Sequence, residues 1–185
     1  MNFRNKLIPG VLIKRYKRFF VDVKINNNIV TAHCPNTGSM MGLLKKGNKV
    51  WLSESDNPKR KLKFTLQMIA EKNQKVGINT HLTNKIILDA LINKQIKVFE
   101  NSETIKTEVK FGTNTRFDFL IINGMQKTFI EVKNVTLSRV NGVAEFPDAV
   151  TTRGHKHLNE LIKAGLSLSA ASKYLAKKNG LKKSE

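Results

Sequence analysis

The sequence predicts a mixed α+β protein with two domains, a small N-terminal β-barrel and a second domain that combines helices with an antiparallel hairpin. Three observations predict it. Residues 11–80 contain short runs of strand-forming residues separated by turn residues, residues 83–93 repeat apolar side chains at helical spacing, and residues 115–134 place an Asn-Gly pair between two β-rich runs. A chain of 185 residues is long enough for two small domains.

The first half of the chain predicts about five short strands. Phe19–Lys24 and Asn28–His33 flank an Asn-rich turn and suit a hairpin, while Lys49–Ser53 and Lys63–Ala70 predict two further strands around a basic loop at residues 56–61. So many short strands in so short a segment favour a small barrel. The oligonucleotide/oligosaccharide-binding (OB) barrel is the commonest small architecture of this kind that meets nucleic acid.

The pattern changes to helix after residue 82, where we expect the domain boundary. Thr83–Asn93 predicts a helix that Thr83 or the next residue can cap. Thr107–Lys110, Thr115–Ile122 and Lys127–Asn134 then predict strands, the last two joined by the Asn-Gly turn, and Thr151–Lys163 predicts an amphipathic basic helix. The second half therefore runs helix, antiparallel strands, helix.

Charge is the most informative feature of the composition. Lys and Arg number 33 against 14 acidic residues, a formal charge of +19. The balance is +12 over residues 1–80, +1 over 81–150 and +6 over 151–185. A surplus this large usually has a polyanionic partner, and the acids concentrate in the middle, where a site that needs carboxylates would lie.

Other features bound the protein's environment. Cys34 is the only cysteine, so an internal disulfide is excluded and a reducing cytoplasm is expected. No stretch approaches 18 consecutive apolar residues, and residues 1–16 carry scattered charges rather than a secretory signal. We therefore expect no membrane partner. The sequence predicts no oligomeric state.

The predicted hairpin brings carboxylates together. With Asn123-Gly124 as the two turn residues, Asp118 faces Phe129, and Asp118, Glu131 and Lys133 project from one face. Asp118 and Glu131 are then diagonal neighbours whose backbones lie roughly 7–8 Å apart.

Two converging carboxylates suit a hard divalent cation such as Mg²⁺ or Mn²⁺, with Glu108 on the preceding strand as a candidate third ligand. The ammonium of Lys133 could hold a scissile phosphate or help to activate a water. Metal plus a positioned cation is the chemistry of phosphodiester hydrolysis. The alternative is an exposed cross-strand charge network of these groups with Arg116, and the residues alone favour neither.

Basic clusters in the barrel half, and a basic pair on the predicted last helix, indicate phosphate contacts. Solubilising charge is the alternative. In the loop after Cys34, backbone amides and hydroxyls could receive a phosphate. The candidate nucleic-acid contacts are Lys14, Arg15, Lys17, Arg18, Asn36, Thr37, Ser39, Lys59, Arg60, Lys61, Arg153 and Lys156.

Three aromatic residues of the barrel half, Tyr16, Phe19 and Trp51, could stack on unpaired bases. A small barrel needs large residues inside, so we expect each of them, and Trp51 especially, in the core. His33 and Cys34 are adjacent, but one cysteine without further ligands is weak evidence for zinc. We expect structural packing there.

These residues also carry a resemblance. Asp118 followed after the hairpin by Glu131-Val132-Lys133 resembles the PD-(D/E)XK nuclease motif. Five further segments make the resemblance specific: RYKRF at 15–19, HCPNTGSM at 33–40, SDNPKRK at 55–61, FPDAV at 146–150 and RGHKHL at 153–158. Together they resemble the sugar fermentation stimulation protein A (SfsA) family from about residue 8 to residue 164.

The resemblance implies an OB-like barrel over residues 1–82 and a PD-(D/E)XK nuclease-like α/β domain over 83–165. It implies DNA binding with little sequence preference and a regulatory role in sugar, especially maltose, metabolism. It also implies metal ligation by Asp118 and Glu131 and catalysis by Lys133. The rival function is thus a Mg²⁺- or Mn²⁺-dependent DNA nuclease, and a third, an RNA-binding factor, rests on charge and on the tail.

The tail departs from the family pattern. Members usually continue past the basic helix into another core strand and helix, whereas residues 166–185 predict an atypical basic helical tail that stops at Asn179-Gly180. We expect a truncated, fused or divergent nuclease-like domain.

Overall fold

The computed structural model describes residues 3, 5–111, 115–140, 143 and 145. The chain forms two compact units, one from residues up to Asp89 together with Lys133–Leu137, the other from Ala90–Val132 and Ser138 onward. The predicted helix at residues 151–163 and the predicted tail lie outside the described residues. The described part contains no helix with the length and hydropathy needed to cross a membrane.

The first unit is a closed OB-like barrel. Its strands are β1 (Ile8–Tyr16), β2 (Phe20–Ile25), β3 (Asn28–His33), β4 (Lys49–Glu54), β5 (Phe64–Glu71) and β6 (Gln74–Gly77). Neighbouring strands pair antiparallel in the order β3-β2-β1-β4-β5-β6, and a parallel pairing of β3 with β5 closes the ring. The barrel therefore runs β1-β2-β3-β5-β4 back to β1, with β6 added as a hairpin on β5.

Alternating apolar residues build the barrel core. On β4, for example, Val50 and Leu52 are fully buried while Lys49 is exposed, as period-two side-chain alternation requires. Close strand packing also depends on Gly10, because a Cβ there would lie 2.5 Å from Cγ1 of Val23. Glycine at that position lets β1 approach β2.

The predicted strands of the barrel are found with small shifts in their ends, and β3 has the predicted bounds. The individual strands β1 and β6 are additions to the prediction. The expectation that three aromatic residues fill the core is wrong. Tyr16 and Trp51 are half-buried, Phe19 is 46 % exposed, and the core consists of smaller side chains.

The connection between β3 and β4 packs into the barrel. Cys34, Met40 and Leu43 are buried within the core cluster, and the Cys34 thiol lies 3.6 Å from the Met40 sulfur. Cys34 is thus a packing residue, as predicted.

One helix, α1 (Thr83–Ile92), leads out of the first unit, close to the predicted bounds. In the second unit, β7 (Thr104–Phe111), β8 (Thr115–Asn123) and β9 (Gln126–Ile130) form an antiparallel sheet in the order β7-β8-β9. The described structure is therefore mixed α+β, as the sequence predicts.

The predicted hairpin register is wrong by two residues. Asn123 pairs with Gln126, so the two turn residues are Gly124 and Met125 rather than Asn123 and Gly124. Gly124 has φ of +55°, a left-handed conformation that glycine adopts without strain. A shift of two leaves every side chain on its predicted face, because side chains alternate with period two.

Aromatic rings pack against one another in the second unit. Phe117 and Phe119 are almost fully buried, and the Phe117 ring lies 5.6 Å from Phe111 and 5.0 Å from Phe129 between centroids. Phe111 and Phe129 meet edge to face at 5.3 Å. Rings in such tilted arrangements attract each other beyond simple burial.

Candidate functional site

The three carboxylates of the predicted metal site lie on or directly beside the second unit's sheet. Asp118 is on β8, and Glu108 on β7 lies between the residues that pair with Phe119 and Phe117. Glu131 directly follows β9, whose pairing with β8 ends at Ile130 opposite Phe119.

Asp118 also organises the backbone beside it. It is half-buried, and its Oδ2 accepts a hydrogen bond of 2.6 Å from the Val132 amide. One carboxylate oxygen is therefore committed to holding the chain just after Glu131.

Glu108 forms an ion pair with a basic residue of the neighbouring strand. Its φ is +52°, and its carboxylate pairs with Arg116 at 3.4 Å, with both side chains more than half exposed. Within the described ranges, no group of three His, Cys, Asp or Glu residues is placed to hold a metal ion. The metal-ligand roles of Glu108, Asp118 and Glu131 remain predictions.

The catalytic lysine of the prediction, Lys133, is exposed and follows Glu131 by two residues. It belongs to the segment Lys133–Leu137, which groups with the first unit. Arg153 and Lys156 lie outside the described residues. The roles predicted for these three cations remain predictions.

Six of the predicted nucleic-acid contacts are exposed cations of the barrel unit: Lys14, Lys17, Arg18, Lys59, Arg60 and Lys61. The ammonium of Lys14 lies 3.7 Å from Asp22 and 5.4 Å from the centre of the Tyr16 ring. The Tyr16 ring in turn stacks on Phe20 at 5.6 Å, with only 16° between the planes. This part of the barrel surface combines positive charge with stacked aromatic rings.

Arg15 differs from its basic neighbours because its guanidinium contacts the protein's own backbone. It donates to the carbonyls of Arg18, Asn36 and Gly38. It therefore joins the β1–β2 turn to the loop after β3.

Three residues of the loop after β3 are predicted nucleic-acid contacts, and one of them is buried while two are exposed. Asn36 is 7 % exposed, and its Oδ1 accepts a hydrogen bond of 2.8 Å from the Gly38 amide, so it shapes the loop from inside. Thr37 and Ser39 are exposed. Their hydroxyls are the part of this loop that is accessible to a phosphate.

A group that the sequence reasoning missed surrounds His33. The parallel β3–β5 pairing puts His33 beside Thr65, whose hydroxyl accepts a hydrogen bond of 2.7 Å from Arg60. Burial, followed by the positive charges of Arg60 and His81, lowers the pKa of His33 below 6.5. No local sequence pattern predicts this cluster, because it is formed by a pairing between strands that are distant in sequence.

Two family models match the chain. Residues 13–78 match the model described as the SfsA N-terminal OB domain, and residues 81–183 match the sugar fermentation stimulation protein RE domain. A sugar fermentation stimulation protein homolog from Pelagibacter ubique is 60 % identical over 164 residues, which cover 89 % of this chain and 71 % of that protein.

This chain belongs to the sugar fermentation stimulation protein (SfsA) family.

Other members support the assignment. A homolog from Ruegeria pomeroyi is 45 % identical over 96 % of this chain and 79 % of its own length. Among solved structures, the Pyrococcus furiosus SfsA in complex with Ca²⁺ superposes with a TM-score of 0.74 at 26 % identity, over 88 % of this chain and 68 % of that one. The two-part architecture described above is thus the SfsA architecture.

Proposed function

We propose that this SfsA family member binds DNA with little sequence preference, and that the barrel supplies most of the electrostatic affinity. The observation that carries the proposal is the cluster of exposed cations on the barrel beside the stacked Tyr16 and Phe20 rings. Phosphate contacts from lysine and arginine give affinity without reading sequence.

Little of this positive charge is neutralised by ion pairs among the described residues. The ion pairs seen in the described part of the first unit are Lys14 with Asp22 and Lys63 with Glu54. Residues 1–80 contain 16 basic and 4 acidic side chains, so most cations have no acidic counterpart in that segment. An extended polyanion relieves their mutual repulsion and releases its own counterions.

Salt dependence tests the proposal. With about 6–10 phosphate contacts, the affinity for a labelled duplex should fall on the order of 10³–10⁵-fold between 50 and 200 mM salt. Fluorescence anisotropy measures it. Affinity that stays constant across that range would refute electrostatic binding.

Charge-removing variants locate the surface. Replacing Lys59 and Lys61 by Gln should weaken binding to every duplex sequence alike and lower the salt slope by about 2, one unit for each lysine. Replacing the exposed Lys97 and Lys106 of the second unit removes the same charge away from the barrel and serves as the matched control. Equal losses in both variants would mean that net charge, rather than the barrel surface, determines affinity.

A second candidate function is metal-dependent cleavage of DNA. The carboxylates of Asp118 on β8 and of Glu131, the residue directly after β9, favour it, since Mg²⁺ binds through one or two carboxylates and keeps several waters. Ca²⁺ is present in the P. furiosus relative. In this proposal the carboxylates of Asp118 and Glu131 would hold Mg²⁺ or Mn²⁺, the bound ion would supply activation of a water, and Lys133 would supply positive charge to the phosphate.

Incubation with single- and double-stranded DNA, with Mg²⁺, with Mn²⁺ and with a chelator, tests cleavage. Loss of cutting in Glu131→Gln and Lys133→Ala with retained DNA binding supports the nuclease. If no metal produces cutting of either substrate, the carboxylate pair is not a nuclease site.

RNA binding is the remaining alternative, and it rests on charge alone. Competition between DNA and RNA of matched length at fixed salt separates the two. A regulatory role in sugar, especially maltose, metabolism also belongs to the proposal and rests on the family's name. Changed expression of sugar-use genes on deletion of this protein would test it.

A further inference from the structure

The only tryptophan of the chain lies on the outer surface of the barrel between two lysines. Trp51 is half-buried, outside the core cluster, and the ammonium groups of Lys49 and Lys75 lie 5.4 and 5.1 Å from the centre of its ring. A single ring thus has two positive charges close to it.

Strand pairing places Trp51 in an apolar row. It pairs with Pro9 on β1 and with Met68 on β5, and Met68 pairs with Gly77 on β6. None of these neighbours carries charge, so the ring lies on an apolar surface that crosses four strands.

The adjacent row is positively charged. Lys24 on β2 pairs with Val11 on β1, which pairs with Lys49 on β4. Beyond Lys49, Ala70 on β5 pairs with Lys75 on β6. Lysine therefore recurs at every second strand, about 9–10 Å apart, since neighbouring strands are 4.7–4.9 Å apart.

Neither row contains a carboxylate, and within the described ranges none of Lys24, Lys49 and Lys75 forms an ion pair. A shallow groove of about 470 Å³ runs beside the rows and is lined by Pro9, Gly10, Val11, Lys24, Asn26 and Lys49. The groove is open to solvent, and its lining combines two lysines with apolar residues.

We propose that this surface, the Trp51 platform (Trp51 with Lys24, Lys49 and Lys75), binds single-stranded DNA by stacking one base on the indole while the lysines hold the flanking phosphates. The inference rests on the proposed DNA binding and adds which form of DNA is bound and where. The platform spans β2, β1, β4, β5 and β6, whereas the binding face usual for this fold is centred on its second and third strands.

Charge and ring act together in this arrangement. In the unbound protein the two ammonium groups are held near the ring by cation–π attraction. An incoming base replaces them on the indole face, and their flexible stems let them turn to the phosphates on either side. A duplex satisfies the lysines but not the indole, because its base faces are already stacked.

Trp51 fluorescence tests the proposal without any substitution, since it is the chain's single indole. Titrating the full chain with an oligothymidine should quench and saturate the signal. The same titration with a blunt duplex, or with inorganic polyphosphate, should leave it nearly unchanged even where anisotropy or competition shows binding. Equal quenching by polyphosphate would overturn base stacking, and quenching by the duplex alone would overturn the preference for single strands.

Variants supply the second measurement. Trp51→Leu should lower affinity for the oligothymidine by about 5- to 150-fold, the range expected for one stacked base, and leave duplex affinity within about twofold. Trp51→Phe should retain part of the oligothymidine affinity that Trp51→Leu loses, because a phenyl ring can still stack on a base. Lys49→Gln with Lys75→Gln should weaken oligothymidine binding and reduce its salt slope by about 1.4, or about 0.7 for each lost contact with a single strand, while the Lys97→Gln, Lys106→Gln control should not.

The outcomes separate this inference from the proposed function. Unchanged oligothymidine affinity in Trp51→Leu, with salt-sensitive duplex binding intact, overturns the platform and leaves the proposed DNA binding standing. Absence of binding to any nucleic acid overturns both. Thermal unfolding of each variant confirms that a loss of affinity is not a loss of fold.

Discussion

The guanidinium of Arg15 donates two hydrogen bonds to the main-chain carbonyl of Arg18, from Nε at 3.1 Å and from a terminal nitrogen at 2.9 Å. It also donates to the carbonyls of Asn36 at 2.7 Å and Gly38 at 2.9 Å. Lys17 and Arg18 have φ of 46° and 60°, so this bracing holds a turn whose backbone is unfavourable for both residues. Arg15 thereby positions two neighbouring cations that face solvent.

Replacing Arg15 by Ala should lower the free energy of unfolding by about 2–3 kcal/mol, because hydrogen bonds to a charged group are lost from three carbonyls. Arg15→Lys should restore only part, since an ammonium lacks the planar fork. Urea denaturation measures both. The control is Lys14→Ala, where the lost ion pair is largely exposed and should matter by less than about 1 kcal/mol. Equal effects of the two alanine variants would contradict the bracing role.

Arg15, which is bonded to backbone carbonyls, and the exposed Lys17 should also differ in their contribution to DNA binding. Lys17→Gln removes an exposed cation and should reduce the salt slope of affinity by about 1. Arg15→Lys keeps the charge and should leave the slope unchanged, although it destabilises the fold. Anisotropy titrations at several salt concentrations measure both slopes. A lower slope for Arg15→Lys would show that its guanidinium reaches phosphate directly.

His33 should make stability depend on pH. Burial and the charges of Arg60 and His81 lower its pKa in the folded protein below 6.5, so between that lowered pKa and 6.5 the unfolded chain binds more protons. The contribution is therefore fully present above pH 6.5 and is lost as the pH falls through the folded pKa.

Urea denaturation between pH 4.5 and 8 measures this contribution as the difference between the wild type and His33→Gln. The variant's stability should fall less steeply than that of the wild type below pH 6.5. The comparison variant is His81→Gln, which keeps the half-buried His33 imidazole and removes only the smallest of the three causes of its lowered pKa, so its curve should lie close to that of the wild type. If the unfolding free energy of His33→Gln runs parallel to that of the wild type at every pH, the pH dependence does not come from His33.

The thiol of Cys34 should react slowly in the folded protein. Burial raises its pKa, which outweighs the opposing effects of a backbone hydrogen bond from Asn36 and of the nearby Arg15 guanidinium. Reaction with a disulfide reagent at pH 8 should be slower than in urea by on the order of 100-fold or more, since the thiolate is both scarce and inaccessible. Comparable rates in the two conditions would show that the loop opens readily.

Local pattern was sufficient for much of the barrel. Alternation identified the buried face of β4 through Val50 and Leu52, and the Asn-rich turn fixed the bounds of β3. The same alternation places Trp51 on the outer face of β4. The expectation that Trp51 lies in the core was based on its size, and the alternation was the better predictor. The closure of the barrel by β3 and β5, which places His33 beside Thr65, has no local signal.

The hairpin shows how far a turn motif can be trusted. An Asn-Gly pair favours a two-residue turn, yet the chain turns at Gly124 and Met125. A shift of two preserves the alternation of the paired residues, so the error changes the cross-strand partners without exchanging the two faces. Similarly, the contacts of Arg15 could not be predicted, because every residue has a backbone carbonyl and the sequence does not show which of them accept a hydrogen bond.

Asp118 combines a structural role with a proposed metal-binding role, and two substitutions separate them. Its Oδ2 accepts a 2.6 Å hydrogen bond from the Val132 amide. Asp118→Ala leaves that amide without its acceptor and should cost about 1–3 kcal/mol of unfolding free energy. Asp118→Asn retains a carbonyl oxygen in the same place and should cost less, although the charge is lost.

Mn²⁺ affinity, unlike stability, should not distinguish the two substitutions of Asp118. Removing the negative charge weakens a two-carboxylate site whichever residue replaces Asp118, so both variants should lose affinity by at least on the order of tenfold in a calorimetric titration. Glu108→Gln should bind Mn²⁺ as the wild type does, because that carboxylate pairs with Arg116. If Asp118→Asn keeps both stability and Mn²⁺ affinity, the carboxylate serves the backbone alone, and the metal-dependent nuclease loses its first ligand.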